Sequence, residues 1–200
     1  DKFIPDDMKQ EIADIAGLTP GDTIFFIADR EAQAALYAGQ IRTELGNRLD
    51  LIEKNSYRFC YINDFPMYEY DNEEKKYIFT HNPFSMPQGG LEALNTKEPS
   101  EILAYQYDIV CNGIELSSGA VRNHDLDIMV KAFEIAGYTE EDLKEKFGAL
   151  YNAFQFGAPP HAGMAPGVDR MIMLLRNEEN IREIIPFPMN GNAQDLMCGA

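Results

Sequence analysis

The first fifty residues show two patterns of apolar positions, one helical and one extended. Apolar residues recur at helical spacing in DDMKQEIADIA, residues 6 to 16, so we predict a helix there that ends at Gly17. The apolar run TIFFIA, residues 23 to 28, predicts a buried strand. Helical spacing then returns up to about Leu49, and the polar stretch 53 to 56 marks a boundary. The pattern predicts a small helix–strand–helix unit.

The next segment is rich in aromatic residues and predicts paired strands. YRFCYINDFPMYEYD, residues 57 to 71, and KYIFTHNPF, residues 76 to 84, flank the charged turn DNEEK. Such a pattern predicts one long antiparallel hairpin. The following stretch, residues 85 to 101, has turn residues and little periodicity, which predicts a mobile surface loop. Whether this loop closes over a substrate stays open.

A second hairpin is predicted around Asn112-Gly113, because this dipeptide between two β-rich runs is a strong signal for a two-residue turn. Helices are predicted at about 125 to 136 and at 140 to 155, the second opened by a capping sequence from Thr139 to Asp142. A last helix is predicted from about residue 168. The fold class that follows is α+β, an antiparallel sheet flanked by helices.

Two carboxylates lie near this second turn. If Asn112 and Gly113 are the turn residues, Val110 faces Glu115 and Asp108 faces Ser117. Asp108 and Glu115 are then diagonal neighbours on one face, where they could share Mg²⁺ together with substrate phosphates. The alternative is that both are solvated on the wet face of the sheet. Spacing alone leaves the choice open.

The second strand of this hairpin contains the small residues Ser117-Ser118-Gly119-Ala120. They leave room for a flat group to approach the backbone, although glycine here could also mark a bulge without a ligand. Strict alternation points Arg122 away from Glu115. An arginine that serves the same pocket therefore requires a one-residue bulge near Ser118 or Gly119.

The glycine-rich stretch GAPPHAGMAPGVDR, residues 157 to 170, ends in an arginine within the first turn of the predicted last helix. This placement of Arg170 opposes the helix dipole, which makes sense if an anion such as phosphate binds there. Pairing with Asp169 or Glu178 is the alternative, and the two remain equal on these grounds. His161 is interpreted as structural, whereas His81 is the better candidate for a pocket.

Composition and charge narrow the classes of partner. The chain has 200 residues, 45% of them hydrophobic, and a formal net charge of −16 with a pI near 4.5. An acidic surface disfavours wide contact with a phosphate backbone. The three cysteines are far apart in sequence and suit a reducing cytoplasm. No apolar run approaches the ~20 residues that span a bilayer. The first residue is not methionine, and we expect a piece of a longer protein.

Several segments together resemble the C-terminal half of a bacterial-type aspartyl-tRNA synthetase, a class II aminoacyl-tRNA synthetase. GMAPGVDR is similar to the third signature motif of that class, and YDIVCNGIELSSGAVR is similar to its hairpin for ATP and aspartate. IREIIPFPMNGNAQDLM is typical of the aspartate branch. The resemblance implies that residues 1–52 end a small α/β insertion domain. Residues 53–200 would form the C-terminal part of the class II catalytic domain.

The resemblance also implies a role for each matching position. Glu115 and Arg170 would be catalytic, and Arg170 would contact the γ-phosphate of ATP. Asp108 and Glu115 would hold Mg²⁺, and Arg122 and His81 would bind L-aspartate. The residues expected to line the ATP end are Glu115, Gly167, Val168, Asp169 and Arg170. Two positions depart from the family pattern: Asn82 replaces a common second histidine, and Pro166 replaces a large apolar residue.

The function implied is ATP-dependent formation of aspartyl-adenylate and transfer of aspartate to the 3′ end of tRNA-Asp. Such enzymes are cytoplasmic homodimers, and their first and second motifs lie upstream of residues 1–52, so we expect this fragment to be inactive alone. Three alternatives stay open: a non-discriminating enzyme that also charges tRNA-Asn, a non-catalytic paralogue that binds only a ligand or partner, and a related asparagine-forming ligase. The presence of Asp108, Glu115, Arg122 and Arg170 disfavours the paralogue.

Overall fold

The computed structural model describes residues 4–199, and the chain divides after Ser56 into two compact units. The first unit contains helix α1 (Asp6–Ala16) and helix α2 (Glu31–Arg48), which confirms both predicted helices. Helix α1 ends at Gly17, whose φ of 64° is the left-handed conformation that favours glycine. The predicted domain boundary lies four residues earlier, after residue 52.

The predicted strand TIFFIA is wrong. Residues 23–28 have no regular secondary structure, and Phe25 and Phe26 are 55% and 62% exposed. A strand needs a neighbour that pairs with its backbone, and the described part of this unit contains no other strand. The run TIFFIA therefore has the composition of a strand, but the described part of this unit contains no strand with which it could pair.

The second unit, from Tyr57 onward, is a mixed α+β structure. Its strands are β1 (Phe59–Asn63), β2 (Tyr68–Asp71), β3 (Lys76–Phe79), β4 (Gln106–Cys111), β5 (Ile114–Val121) and β6 (Ala162–Pro166). Its helices are α3 (Gly90–Thr96), α4 (Leu126–Ile135), α5 (Glu140–Gln155) and α6 (Val168–Arg176), with 3₁₀ turns at Pro99–Glu101 and Ile181–Glu183. This confirms the predicted fold class. None of the described helices combines the length and apolar character needed to cross a bilayer.

The strands form two antiparallel sheets. The larger has the order β1-β4-β5-β6, and β2 and β3 form a separate pair. The predicted long hairpin is therefore wrong in extent, because its first strand divides into β1 and β2. The division falls at Asp64, which has a φ of 59°, and Pro66, which has no N–H to donate to a ladder.

Residues 85–101 are not a surface loop, which corrects another prediction. Ser85 and Pro87 form single bridges with Arg122 and Ala104, and helix α3 follows. Ala93 and Leu94 in this helix are buried, and Leu94 belongs to a core cluster that also contains Met67, Tyr68, Ile102 and Ala132. Helix α3 has weak sequence signals because it is only seven residues long and begins next to Gly89 and Gly90, two glycines with positive φ.

Helices α4 and α5 pack over an aromatic core that borders the candidate site. Phe133 contacts Phe79, Phe84 and Phe147 with ring centroids 4.9 to 5.9 Å apart. Tyr68 is buried and donates to the Ala132 carbonyl at 2.9 Å, and its burial raises the pKa of the phenol. Helix α5 begins with the predicted capping box between Thr139 and Asp142. The aromatic core thus fixes the position of Phe84, which borders the candidate site.

Candidate functional site

Strands β4 and β5 form the hairpin that the sequence predicts. Asn112 and Gly113 both have positive φ, 51° and 81°, as a type I′ turn requires. Val110 pairs with Glu115, which is the predicted partner, and Cys111 pairs with Ile114. The turn residues therefore set the register of the first two pairs.

At positions farther from the turn, the register differs from the predicted one because β5 contains a bulge. Asp108 pairs with Ser118 rather than Ser117, so that predicted pair is wrong. The ladder shifts between Ile109 and Val110, which leaves Leu116 as an extra residue on β5. An extra residue reverses the alternation of faces along a strand. The bulge is present as required, but it precedes the predicted position near Ser118 or Gly119.

The bulge brings three of the predicted site residues to one face of the sheet. Before it, Glu115 shares a face with Val110, and therefore with Asp108 two residues along β4. After it, Ser118 faces Asp108, and alternation continues through Ala120 to Arg122. Asp108, Glu115 and Arg122 consequently lie on the same face, which unbroken alternation would not allow.

The two carboxylates on this face have different surroundings. Asp108 Oδ1 is buried without a hydrogen-bond partner, whereas the Glu115 side chain is 47% exposed. A buried carboxylate oxygen without a partner is costly unless a ligand or cation satisfies it. Among residues 4–199 there is no cluster of three or more potential metal-binding side chains. Asp108 and Glu115 could therefore bind Mg²⁺ only if phosphates and water supplied the remaining ligands of the ion.

Strand β6 and helix α6 position Arg170 beside this hairpin. The Gly167 N–H donates to the carbonyl of the bulged residue Leu116 at 2.7 Å, and helix α6 starts at the next residue. Arg170 Nη1 donates to the Glu115 carbonyl at 2.7 Å and to Glu115 Oε1 at 3.2 Å. In the described chain its ion pair is thus with Glu115, not with Asp169 or Glu178.

The ion pair between Arg170 and Glu115 is open to exchange. Both side chains are nearly half exposed, 44% and 47%, and exposed pairs contribute at most about 1 kcal/mol. No side chain caps the N-terminus of α6 at Gly167, and Val168 is 64% exposed. Asp169 lies in the same exposed first turn. The amides of this turn and a weakly held guanidinium are suitable partners for phosphate oxygens.

Arg122 lines a separate cavity of about 240 Å³ next to the aromatic core. Its lining residues are Phe84, Arg122, Asn123, Leu150, Phe154 and His161. None of these is acidic, and Arg122 forms no ion pair with any residue that the structure describes. An unpaired guanidinium in a partly apolar cavity favours an anionic ligand with a planar carboxylate or phosphate group.

The structure places the two candidate histidines differently from the sequence interpretation. His81 is exposed, packs edge-on against Phe65 at 5.0 Å, and does not line the Arg122 cavity. His161 lines that cavity, and its Nδ1 also lies 2.9 Å from the Pro159 carbonyl. The structural contact expected of His161 is present, but its place in the cavity was missed. The signal for this position is the pairing of β6 with β5, which places His161 opposite Arg122.

A larger cavity of about 310 Å³ lies beside α6 and is not a candidate for chemistry. Its lining residues are Tyr57, Phe59, Cys111, Leu116, Met171, Leu174 and Leu175. The lining is almost entirely apolar and contains no charged side chain, so it offers no partner for an anionic substrate.

Two solved structures with a similar fold each have a TM-score of 0.51. One is an aspartyl-tRNA synthetase from Entamoeba histolytica that is 22% identical to this chain. The match covers 94% of this chain and 31% of that synthetase. Another is the asparaginyl-tRNA synthetase of the same organism in complex with asparaginyl-adenylate, 16% identical, covering 96% of this chain and 36% of that chain. At these identities the similarity establishes the fold alone.

Curated relatives are much closer in sequence. Proteins named aspartate–tRNA(Asp/Asn) ligase from Ehrlichia chaffeensis and Zymomonas mobilis are 59% and 62% identical to the chain. The matches cover 100% and 98% of this chain but 34% and 33% of those proteins, so the chain spans about a third of their length. Residues 7–191 match the family described as tRNA synthetases class II (D, K and N). The chain therefore belongs to the class II tRNA synthetases of the D, K and N group.

Proposed function

We propose that the protein containing this chain is an aspartate–tRNA ligase, which activates aspartate with ATP to aspartyl-adenylate and transfers it to the 3′ end of tRNA-Asp. The observation that carries the proposal is the unpaired Arg122 in a cavity without acidic side chains. The names of relatives at 59% and 62% identity support the same activity. ATP and L-aspartate are the small substrates in this proposal.

Arg122 would hold the side-chain carboxylate of aspartate. A guanidinium can donate two parallel hydrogen bonds to a carboxylate, and the planar fork fixes the orientation of the ligand. Asparagine presents an amide in the same place, which would leave the charge of Arg122 without a partner. His81 would supply a second contact to the amino acid, but only if its ring leaves Phe65 on binding.

The start of helix α6 would bind the triphosphate of ATP. Arg170 would transfer its hydrogen bonds from Glu115 to the γ-phosphate, while Gly167, Val168 and Asp169 form the adjoining wall. Positioning and charge stabilisation provide most of the catalysis when a carboxylate attacks a phosphate. Glu115 and Arg170 are accordingly the proposed catalytic residues of this fragment.

Asp108 and Glu115 are the residues that would hold Mg²⁺. The partnerless Oδ1 of Asp108 and the exposed carboxylate of Glu115 provide two oxygen ligands on one face. When bound, the ion would neutralise phosphate charge. Glu115 would then lose its side-chain contact with Arg170, which frees the guanidinium for ATP.

The tRNA partner and the homodimer are proposed for a longer protein that contains this chain, since the chain spans about a third of the length of its relatives. One specific observation favours the second candidate function, in which the protein also charges tRNA-Asn with aspartate. Relatives from Ehrlichia, Zymomonas and Gluconobacter all have names that include both tRNAs. Aspartate charging of purified tRNA-Asn by the full-length protein separates the two candidates.

Aspartate-dependent ATP–pyrophosphate exchange tests the proposal in the full-length protein. We expect Arg122→Ala to raise KM for aspartate at least about thirtyfold, since it removes one partner of a hydrogen-bonded charge pair, with little change for ATP. Arg170→Ala should raise KM for ATP about tenfold or more and leave aspartate little changed. Each variant is thus the control for the other. Absence of aspartate-dependent exchange in the unaltered protein would contradict the proposal and favour a non-catalytic paralogue.

A further inference from the structure

Gln106 lies on the sheet between the residues proposed for aspartate and those proposed for ATP. It is two residues from Asp108 along β4, and residues two apart on a strand share a face. Its partner on β5, Ala120, is likewise two residues from Arg122. The row of paired residues that contains Gln106 therefore lies between the rows of Arg122 and Asp108, about 7 Å from each along the strands.

A contact with Ser85 holds the Gln106 amide on the side of Arg122. Ser85 forms a bridge with Arg122, and its side chain is completely buried. Its hydroxyl donates to Gln106 Oε1 at 3.5 Å. Gln106 is itself only 6% exposed, so its side chain has little freedom to turn away. The oxygen of the amide is thus committed to a neighbour within the protein.

The nitrogen of the same amide has no acceptor in the described chain. The partnerless side-chain atoms that are fully enclosed belong to Thr80, Asp108 and Ser117, so Nε2 of Gln106 retains some access to solvent. Farther along the same row, a Cβ built at Gly163 would meet no atom within 4 Å, so there is open space at that end. Two N–H donors on a largely buried side chain favour a ligand that supplies an acceptor.

The proposed positions of aspartate and ATP place the reacting atoms above the row of Gln106. Arg122 would bind the side-chain carboxylate of aspartate, while Asp108 and Glu115 would hold Mg²⁺ and the phosphates. The α-carboxylate that attacks ATP must then lie between these two groups. Gln106 supplies the polar side chain of this row, since the other two residues are alanine and glycine.

We propose that Gln106 is a further catalytic residue, whose Nε2 donates to the α-carboxylate of aspartate during adenylate formation. This inference rests on the proposed function. One carboxylate oxygen forms the new bond to the α-phosphorus, the bond from that phosphorus to the bridging oxygen breaks, and pyrophosphate leaves with the electron pair. Gln106 binds the other carboxylate oxygen, which becomes the carbonyl oxygen of the adenylate, and thereby orients the attacking one. No proton is transferred.

Two substitutions, Gln106→Met and Gln106→Leu, remove the N–H donors and keep a side chain of similar volume. Ser117→Ala is the matched control, because it removes a buried polar group of the adjacent strand that lies on the other face of the sheet. All variants are made in the full-length protein. Aspartate-dependent ATP–pyrophosphate exchange gives kcat/KM for aspartate and KM for ATP, and urea denaturation gives the stability of each variant.

Both Gln106 variants should lower kcat/KM for aspartate about tenfold to hundredfold, because a hydrogen bond to a charged group is lost. KM for ATP should change less than about threefold, and Ser117→Ala should stay within about threefold for both substrates. A smaller loss for aspartate in either folded Gln106 variant, an equal rise in KM for ATP, or failure of both Gln106 variants to fold would overturn the role of Nε2. If the unaltered protein shows no aspartate-dependent exchange, the proposed function itself fails, which distinguishes the two failures.

Discussion

Gly119 occupies the closest approach among the three strands β4, β5 and β6. A Cβ built at this position would lie 2.5 Å from the Gly163 carbonyl oxygen and 2.5 Å from Tyr107 Cε2. The Tyr107 hydroxyl donates to the same carbonyl at 3.0 Å. The flat group for which the small residues of β5 leave room is therefore the Tyr107 ring, not a ligand. This contact ties the hairpin to the strand that leads to Arg170.

Substitution of Gly119 tests this packing. We expect Gly119→Ala to lower the free energy of unfolding by about 1–3 kcal/mol, because either Tyr107 or strand β6 must move away. Gly163→Ala is the matched control, since a Cβ at Gly163 would meet no atom within 4 Å. Urea denaturation of both variants measures the difference. Equal stabilities would show that the ladder tolerates a side chain at residue 119.

At the scale of single residues, the sequence predicts what local geometry controls. Asn112-Gly113 fixes the turn and the pair of Val110 with Glu115, because two residues of positive φ permit few alternatives. The bulge at Leu116 is not a local property of that hairpin. It coincides with the Gly167 N–H, which bonds the Leu116 carbonyl from fifty-one residues away. The ion pair of Arg170 with Glu115 depends on the same distant approach.

At the scale of elements, helices with local signals are predictable and segments that depend on partners are not. The helix over residues 140–155 has acidic residues in its first turn and a capping box, both readable from the sequence. The run TIFFIA has equally clear composition, but no strand pairs with it in the described chain. Helix α3 shows the opposite failure, because burial of Ala93 and Leu94 stabilises a segment with weak local signals.

The start of helix α5 should depend on pH in a defined direction. The backbone N–H and the hydroxyl of Thr139 donate to Asp142 Oδ2 at 2.8 and 2.7 Å, which lowers the pKa of this carboxyl below its ordinary 3.8. A lowered pKa means that the carboxylate stabilises the folded state above pH 3.8, and that this contribution disappears as pH falls through the folded pKa. The helix should therefore begin to fray only in acid.

An NMR titration of the Asp142 carboxyl measures this effect directly. We expect a midpoint below 3.8, and a higher midpoint in Thr139→Ala, which keeps the backbone donor but loses the hydroxyl. A midpoint at or above 3.8 for Asp142 would mean that the capping box does not form in solution.

At the scale of the whole molecule, the charge balance makes the candidate site unusual. The chain carries 33 acidic and 17 basic residues, yet Arg122 and Arg170 occupy the positions proposed for anionic substrates. The net charge of −16 on these 200 residues provides no long-range attraction for anionic aspartate or ATP. Binding must therefore depend on local donors arranged by the bulged sheet. The central claim is that Arg122 reads the substrate carboxylate.

Calorimetric titration of the full-length protein tests that claim most directly. The ligands are a non-hydrolysable aspartyl-adenylate analogue and its asparaginyl counterpart, which differ only in the group that Arg122 is proposed to read. We predict that the aspartyl compound binds at least about thirtyfold more tightly, and that Arg122→Ala removes most of this preference while both compounds still bind through their adenylate. Equal affinities in the unaltered protein, or a preference that survives Arg122→Ala, would contradict the account.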